Sequence, residues 1–377
     1  MRKPLIDDEV IRGLAKPISG AARMMRTAVS QKRPILIRYN NDADGISAGL
    51  CIYRAVLSIA KETGYDAQKL LRDYQNNSAF YSHGDACGDA MLLSGLSEMR
   101  PLLILVDFGA NIESVEGLKA AKAEGAEMLI IDHHPPSKDA LALLDCFVSP
   151  WLVDGGTSDY CAGLVAGEVA KEAAGIGTAR IQRIAMAGDR SRLSTPSADE
   201  ANSALALDYL AETARPRNTL AVCDSILEDP SKLSAAYNAA ASKIEFTLSQ
   251  LKEIAKVRTL PNGFKVATAE ITRIARDGSF PPKGKVAGTL HDFLSSGTTA
   301  PVVTIAHGRD AINIRANLAA RKAGFSAAKI IYELKQELPN AITSGGGHDV
   351  AASIRAEKGL GKVVLRELIA KITAIAP

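Results

Sequence analysis

The segment EMLIIDHHPP, residues 127–136, decides the fold of this 377-residue chain. Its apolar run, Met128 to Ile131, has the length and composition of a buried parallel strand. Asp132, His133 and His134 follow that run directly, and two prolines then end it. Ligands of open α/β sheets collect just beyond the carboxyl ends of the strands. The segment therefore predicts a parallel sheet that carries carboxylate and imidazole groups at its ligand-binding edge.

Three further acidic stations lie elsewhere in the chain, and two of them also follow a predicted strand. A predicted strand at 35–38 precedes Asp42 and Asp44, and a second at 102–106 precedes Asp107. Asp189 ends a helical run. Carboxylates and imidazoles brought together at one sheet edge predict a metal site with room for two ions. Because such a site is rich in carboxylates and poor in thiolates, Mn²⁺ or Mg²⁺ is the expected metal.

Each acidic position also has a simpler interpretation. Asp42 and Asp44 fit a helix N-cap followed by an exposed acid, since Asp is favoured at both places. Asp107 fits a strand-end turn, and Asp189 fits a Gly-Asp turn after a helix. Two neighbouring carboxylates repel each other unless a cation lies between them, which favours metal when all the positions are taken together. Arg190 could neutralise Asp189 or contact a phosphate.

The order of elements predicts two α/β domains. Strands alternate with helices through the first half of the chain, as in βαβ units with a mainly parallel sheet flanked by helices. We expect this domain, with a helical N-terminal lead-in, at 1–197, and a helical connector at 198–260. A smaller α/β domain with a mixed sheet is expected at 261–377.

Composition limits the class of protein. Hydrophobic residues make up 47% of the chain and charged residues 23%, as in an ordinary globular protein. No run approaches eighteen uninterrupted apolar residues, so we expect no membrane span. The five cysteines are scattered without a CxxC pair, which favours reduced thiols and a cytoplasmic location.

Charge is distributed unevenly along the chain. Residues 251–377 hold 19 Lys and Arg against 10 Asp and Glu, whereas the rest holds 26 against 32. A basic C-terminal third predicts a polyanionic partner, most obviously nucleic acid. The alternative is a lysine-rich solvated surface without a partner.

A glycine triplet in the basic third is a candidate phosphate-binding loop. Gly345, Gly346 and Gly347 can present successive backbone N–H groups to an anion, and His348 adds a further donor. Arg315 could supply a guanidinium group to the same phosphate. The alternative is a flexible loop, which is what most isolated glycine triplets form.

Taken in order, these motifs resemble those of a known family. DxDG at 42–45, the strand-end Asp107, DHH at 132–134, GD at 188–189 and GGGH at 345–348 resemble the DHH phosphoesterase superfamily. The resemblance covers about residues 33–192 and, for the associated C-terminal domain, about 262–370. Within the superfamily the chain looks most similar to the RecJ-like single-strand nucleases of the compact archaeal type.

The resemblance implies a two-metal phosphodiester hydrolase and a role for each motif. Asp107 would bridge two divalent cations, Mn²⁺ or Mg²⁺. Asp44, His133 and Asp189 would complete the shell of one ion, and Asp42 would serve the other. Asp132 would hold the histidine pair, and His134 would contact the scissile phosphate or support the metal shell. From the C-terminal domain, the substrate phosphates would be bound by Arg315, His348 and the triplet Gly345, Gly346 and Gly347.

One residue departs from the family pattern. The first motif of the family normally reads HxDxDG, and Asn40 occupies its histidine position. An amide oxygen is a weaker ligand than imidazole, so the ion served by Asp42 should bind less tightly.

Several functions therefore remain open at this point. The first is an exonuclease on single-stranded DNA or RNA, and the second a phosphodiesterase for nanoRNA or dinucleotides. The third is a catalytically weakened scaffold of replication or repair, with a protein partner docked on the helical region 198–258. A pyrophosphatase is a fourth, which the GGGH-bearing domain disfavours.

Overall fold

The computed structural model describes residues 3–213, 220–276 and 278–376, which divide into two compact units. The first unit is Met1–Tyr237 and the second is Asn238–Pro377. The predicted connector, 198–260, is shared between them. Its first part packs into the core of the first unit through residues such as Leu207 and Cys223, because these apolar side chains lie on faces turned inward.

The first unit is built on a five-stranded sheet with strand order β2-β1-β3-β4-β5, and every pairing is parallel. The strands are β1 Ile35–Tyr39, β2 Leu71–Gln75, β3 Leu102–Val106, β4 Glu127–Ile131 and β5 Cys146–Val148. Every residue of β1 and β3 is buried, which explains why these strands are continuous apolar runs instead of alternating ones. The α/β fold with a parallel sheet is therefore confirmed.

Helices cover both faces of this sheet. They are α1 Glu9–Gly13, α2 Ala15–Ser30, α3 Ala43–Thr63, α4 Ala67–Leu70, α5 His83–Ser94, α6 Val115–Ala123, α7 Lys138–Leu141, α8 Ala162–Ala174, α9 Ala179–Gly188, α10 Ala198–Thr213 and α11 Leu220–Glu228. Two 3₁₀ helices add Ile112–Ser114 and Pro150–Leu152. Alternate residues of the strands face two separate hydrophobic clusters, so the sheet is a central layer between two helical layers.

Helix α3 is long and apolar enough to cross a membrane by length and composition, but its surroundings explain its character. In its most apolar window 78% of the residues are buried inside the protein. The helix packs on α2, α8, α9 and β1 in the core of the first unit. Its apolar composition is that of a central core helix.

Backbone hydrogen bonds continue past the strand ends and align the motif residues. The N–H of Asn40 donates to Val106, that of Asp107 to Ile131, and that of Asp132 to Val148. Each residue thus lies beside the end of the neighbouring strand. Parallel pairing therefore places Asn40, Asp107 and Asp132 next to one another at the carboxyl edge of the sheet.

The second unit contains a six-stranded mixed sheet with strand order β10-β11-β9-β8-β7-β6. Its strands are β6 Lys256–Thr259, β7 Lys265–Glu270, β8 Val302–His307, β9 Ala311–Ala316, β10 Ile342–Gly347 and β11 Ala351–Ala356. The β7–β8 pair is parallel and the other pairs are antiparallel. Its helices are α13 Lys283–Ser295, α14 Leu318–Lys322, α15 Ala327–Glu337 and α16 Gly361–Thr373, and helix α12 Pro230–Ile254 contains the unit boundary.

The predicted glycine loop is a strand, so that prediction was wrong. Gly345, Gly346 and Gly347 belong to β10, where they pair with Ile354, Ser353 and Ala352. Since β10 is the edge strand of the sheet, the pairing with β11 uses the backbone groups on one side of the triplet and not those on the other. Gly345 allows a close approach, because a Cβ there would lie 3.2 Å from the carbonyl oxygen of Ser353.

Candidate metal centre

His133 is the central side chain of the site. It is 3% exposed, and its Nδ1 lies 2.7 Å from the carbonyl oxygen of Ser158. A carbonyl can only accept a hydrogen bond, so Nδ1 carries a proton, and Nε2 is the nitrogen whose lone pair a metal ion would bind once the ring is neutral. That Nε2 lies 3.2 Å from Oδ1 of Asp107 and 3.9 Å from Oδ2 of Asp44. Three electron-rich groups thus converge, and a cation between them would hold them together.

Asp107 is both buried and conformationally strained. Its φ of 67° lies in the left-handed region, which residues with a Cβ rarely adopt. Its Oδ1 is buried, and no donor in the described part of the chain makes a hydrogen bond to it. An unsatisfied buried oxygen in a strained residue is costly for a folded protein. A metal ion bound at Oδ1 would remove the cost of the unsatisfied oxygen.

Asp44 is held by the start of helix α8. The backbone N–H groups of Ala162 and Gly163 each donate to one of its oxygens, both at 2.8 Å. Gly163 makes this approach possible, because a Cβ there would lie 2.4 Å from the Cβ of Ala185. The two hydrogen bonds fix the carboxylate and leave each oxygen a lone pair for a ligand.

Asp132 and His134 form a tight pair. Nδ1 of His134 lies 2.8 Å from Oδ1 of Asp132, and the backbone N–H of His134 donates to the same oxygen at 3.1 Å. Since Asp132 occupies Nδ1, the Nε2 of His134 is left for other partners. The side chain of His134 is 44% exposed, whereas that of His133 is 4% exposed. Asp132 thus positions His134, while Ser158 positions His133.

Asp189 closes the site from helix α9. It follows the last residue of that helix, and its Oδ2 lies 3.7 Å from Nδ1 of His133. The residues that follow Asp189 are hydrogen-bonded to the loop that carries Ser158. Arg192 donates from Nε to both oxygens of Asp159, and the hydroxyl of Ser191 donates to the Asp159 carbonyl.

Asn40 joins two of the carboxylates. Its Nδ2 donates to Oδ2 of Asp42 at 3.0 Å and to Oδ2 of Asp107 at 3.1 Å. Its Oδ1 accepts the backbone N–H of Asn41. Asp42 also caps helix α3, because its other oxygen accepts the N–H of Gly45 at 2.8 Å. The predicted cap and the predicted metal-site carboxylate are therefore the same residue.

Crowding of the carboxylates shifts their pKa values. Burial and the charge of Asp44 raise the pKa of Asp42 to about 6. Burial raises the pKa of Asp189 to about 7, against the opposing charge of His133. Burial and the charge of Asp42 raise the pKa of Asp107 well above its usual range.

Both histidines have raised pKa values, although burial alone would lower them. Burial opposes protonation of His133, but the charges of Asp189, Asp44 and Asp132 raise its pKa to about 9. Burial likewise opposes protonation of His134, and Asp132 raises its pKa to about 9. The metal-free site thus attracts protons strongly, as expected of a place built for a cation.

The donor atoms fit a divalent ion. One ligand atom each from Asp107, His133 and His134 lies within 4.8 Å of the others. Carboxylate oxygens with imidazole nitrogens, and no thiolate, suit Mn²⁺ and Mg²⁺ better than thiolate-preferring ions. The structure therefore brings together every predicted acidic and histidine residue of the first unit. Arg190, an exposed residue with φ 55°, follows Asp189 directly.

The predicted phosphate-binding residues lie in the second unit. Arg315, on β9, donates to the carbonyls of Ile314 and Gly284. The β9–β11 register pairs Arg315 with Ala351, three residues beyond His348. These positions thus cluster at one end of the sheet.

A cavity of about 630 Å³ lies in the same unit, near the β8–β9 turn. It is lined by five cationic residues and two acidic ones, which are Arg276, Lys283, Arg309, Arg355 and Lys358, with Asp310 and Glu357.

Four residues that shape the site were missed by sequence reasoning. Trp151, the single tryptophan of the chain, donates from Nε1 to the carbonyl of His133 at 2.8 Å and is 42% exposed. Asp208, on α10, accepts the N–H of Ala43 at the start of α3. Ser158 acts through its backbone, and Asp159 through Arg192. Only the Ser-Pro pair before Trp151, which starts a 3₁₀ helix, gave any local signal.

Comparison with known proteins agrees with this geometry. Residues 34–188 match the model of the DHH family, N-terminal domain. The chain is 27% identical over 425 residues to an uncharacterised protein of Methanocaldococcus jannaschii. The match includes 99% of this chain and 56% of that protein, so the chain spans about half the length of its relative.

Solved structures show the same fold. The DHH domain of a protein described as a member of a ribosomal protein family superposes with a TM-score of 0.91 at 26% identity, covering 100% of this chain and 94% of that one. RecJ of Thermus thermophilus in complex with Mn²⁺ superposes with a TM-score of 0.60 at 17% identity, covering 95% of this chain and 55% of that one. CDC45 of Entamoeba histolytica superposes with a TM-score of 0.53 at 9% identity, covering 95% of this chain and 99% of that one. At the last two identities the likeness concerns the fold alone.

Proposed function

Because residues 34–188 are a DHH-family N-terminal domain, we propose that this protein is a metal-dependent phosphodiester hydrolase, acting as an exonuclease on single-stranded DNA or RNA. The observation that carries the proposal is that Nε2 of His133 lies 3.2 Å from the buried Oδ1 of Asp107, an oxygen to which no donor in the described residues makes a hydrogen bond. These atoms call for a divalent cation, and phosphodiester hydrolysis is chemistry that such a cation supports. We place the protein in the cytoplasm.

The residues that would hold the metal are the ones at the sheet edge. Asp107, Asp44, His133 and Asp189 would bind one ion, and Asp42 would serve a second. A divalent ion held there supplies an acidified water and charge stabilisation for a phosphate ester. Asp44 and His133 are fixed by backbone groups, so the ligands are held in place before the metal binds.

His134 has a separate task in the proposed reaction. Its Nδ1 is held by Asp132 and its side chain is 44% exposed, so Nε2 is available to a substrate. With its pKa raised to about 9, the ring carries a proton at neutral pH. We assign it to hydrogen bonding with a phosphate oxygen, where it also holds a proton near the leaving group.

Strand binding is assigned to the second unit. Its sequence is basic, and its proposed phosphate contacts are Arg315, His348 and the strand residues Gly345, Gly346 and Gly347. In the first unit, Arg190 is a separate proposed phosphate contact. Contacts to phosphates give affinity without sequence preference, and they weaken as salt rises. A phosphodiesterase acting on nanoRNA or dinucleotides remains the alternative, and it would not need long strands.

Hydrolysis of labelled strands tests the proposal. We expect 5′- and 3′-labelled single-stranded 20-mers to be shortened in Mn²⁺ or Mg²⁺, and Asp132→Ala to slow this at least about 100-fold because His134 loses its orientation. Product ladders read by gel electrophoresis will give polarity and length preference, with dinucleotides assayed in parallel. Glu62→Gln is the matched control, since Glu62 is an exposed acid at the far end of helix α3.

The result that would contradict the proposal is a folded, Mn²⁺-loaded protein that cleaves neither strands nor dinucleotides. Equal activity of the Asp132→Ala variant and the wild type would also contradict it, because it would locate the activity elsewhere or in a contaminant.

Trp151 offers a direct test of where the substrate binds. As the single tryptophan, anchored to the carbonyl of His133 and partly exposed, it reports only on the surroundings of the metal centre. We expect its fluorescence to fall by roughly a third or more when a (dT)₂₀ strand binds in Ca²⁺, because bases stack on exposed aromatic rings. Unchanged fluorescence at saturating strand, with binding proven by anisotropy, would place the strand away from this centre.

A scaffold of replication or repair, with a protein partner, is the second candidate. The observation favouring it is Asn40, whose amide donates to two carboxylates of the site. The fold likeness to CDC45 is compatible with such a role. Retention of Asp42, Asp44, Asp107 and Asp189 favours the enzyme instead.

A further inference from the structure

The Asn40 side chain is oriented by its own neighbour. The backbone N–H of Asn41 donates to Oδ1 of Asn40 at 3.0 Å, so the amide oxygen is turned away from the carboxylates. The amide nitrogen is then the group that faces Asp42 and Asp107, at 3.0 and 3.1 Å. A side-chain amide has two N–H bonds, and each is used here by one carboxylate.

The amide therefore performs the task of a cation between the two acids. Its hydrogens carry partial positive charge, and they offset the repulsion that Asp42 and Asp107 would feel in this buried place. A metal ion at the same place would meet these hydrogens instead of a lone pair. The two oxygens of Asp107 are thus divided, Oδ2 towards the amide and Oδ1 towards His133.

We propose that Asn40 makes this a one-ion centre at rest: a single divalent ion binds at Asp107 Oδ1 and His133, and the Asn40 amide takes the place of a second ion between Asp42 and Asp107. The proposal rests on the proposed function for its metal, and it changes the expected stoichiometry from two ions to one. Asn40 is a positioning residue in this account, because it acts on the carboxylates and not on the substrate.

Counting bound Mn²⁺ tests this without any activity assay. Free aqueous Mn²⁺ gives an intense electron paramagnetic resonance signal, so titration of the full chain yields the number of tightly bound ions. We expect one tight ion in the wild type. Asn40→His replaces the two donors by a ring that can offer a lone pair, so we expect two ions, with the second bound about 10- to 100-fold more tightly than in the wild type.

A second variant covers the case in which Asn40→His does not fold. Asn40→Ala removes the amide bridge and supplies no ligand, so we expect the second ion to bind more tightly than in the wild type but less tightly than in Asn40→His. In the loaded Asn40→His protein, two neighbouring ions should also give the multiline spectrum of coupled Mn²⁺. Glu62→Gln is the control and should titrate like the wild type.

The outcomes separate the two proposals. Two tight, coupled ions in the wild type would overturn the one-ion centre and leave the proposed hydrolase intact. Failure of the wild type to bind any Mn²⁺ would overturn the proposed function and this inference together. An unchanged count of one in both Asn40 variants, with folding shown by circular dichroism, would overturn the role given to the amide.

Discussion

Asp107→Asn is expected to abolish metal-dependent hydrolysis and, at the same time, to stabilise the metal-free protein. Burial among Asp42, Asp44 and Asp132 makes ionisation of Asp107 costly, and no donor in the described part of the chain makes a hydrogen bond to its Oδ1. The side-chain oxygen of Asn can accept from Asn40, and its nitrogen can donate to Nε2 of His133 once that ring is neutral. Asn also tolerates the left-handed backbone that this position requires. Replacing a buried group whose ionisation is costly by a neutral amide should raise the free energy of unfolding at pH 8 by about 1–3 kcal/mol.

Thermal unfolding in EDTA at pH 8 measures the stability of the metal-free protein, and the added stabilisation by Mn²⁺ measures metal binding. We expect Asp107→Asn to unfold at a higher temperature than the wild type in EDTA and to gain almost nothing from Mn²⁺. Glu62→Gln should match the wild type in both media. A variant that is less stable in EDTA, or that keeps the full stabilisation by Mn²⁺, would show that Asp107 is structural and not a ligand.

The stability of the metal-free protein should fall as pH rises from about 5 to 8. The folded pKa of His133 is about 9, above the usual value of about 6.5. Its stabilising contribution is therefore complete below pH 6.5 and is lost as pH rises through 9. The raised pKa values of Asp42 and Asp189, about 6 and about 7, act in the same direction, because ionisation of these buried groups costs more in the folded state.

His134 should add less to this trend, since water screens its half-exposed ring. The three buried groups together predict a loss on the order of a few kcal/mol across the window.

Metal should reverse this pH dependence. The metal binds the deprotonated ligands, so its affinity rises with pH, and its stabilisation rises with it. We expect the difference in unfolding temperature between Mn²⁺ and EDTA to widen steadily from pH 5.5 to 8. In His133→Gln, which has no titratable ring at this position, the EDTA profile should be flatter. A difference independent of pH would mean that the metal binds away from this cluster.

The sheet of the first unit could be predicted almost completely from sequence patterns. The apolar runs before Asp42, Asp107 and Asp132 marked three strands, and a strand-end position in a parallel sheet implies a shared edge. Parallel pairing is what turns residues far apart in the chain into neighbours, and it can be inferred from alternating strands and helices alone.

The glycine triplet shows where such inference fails. Glycine is compatible with both a loop and a strand, and no alternation of polar and apolar residues marks Gly345 to Gly347. Pairing with β11 decided the outcome, since the partner strand supplies the hydrogen bonds that the triplet lacks locally. Side-chain contacts to the backbone cannot be predicted from the sequence for a similar reason. Every residue has a carbonyl, so nothing in the sequence identifies Ser158 as the partner of His133.

The sequence by itself determined the parallel sheet and the residues that meet at its edge, because strand composition and chemical type are local properties. The tertiary structure decided how those residues are used. It fixed the tautomer of His133 through Ser158, turned the amide of Asn40 towards Asp42 and Asp107, and set Trp151 beside the centre. Each of these depends on atoms from distant segments meeting at hydrogen-bond distance, and that geometry exists only once the chain has folded.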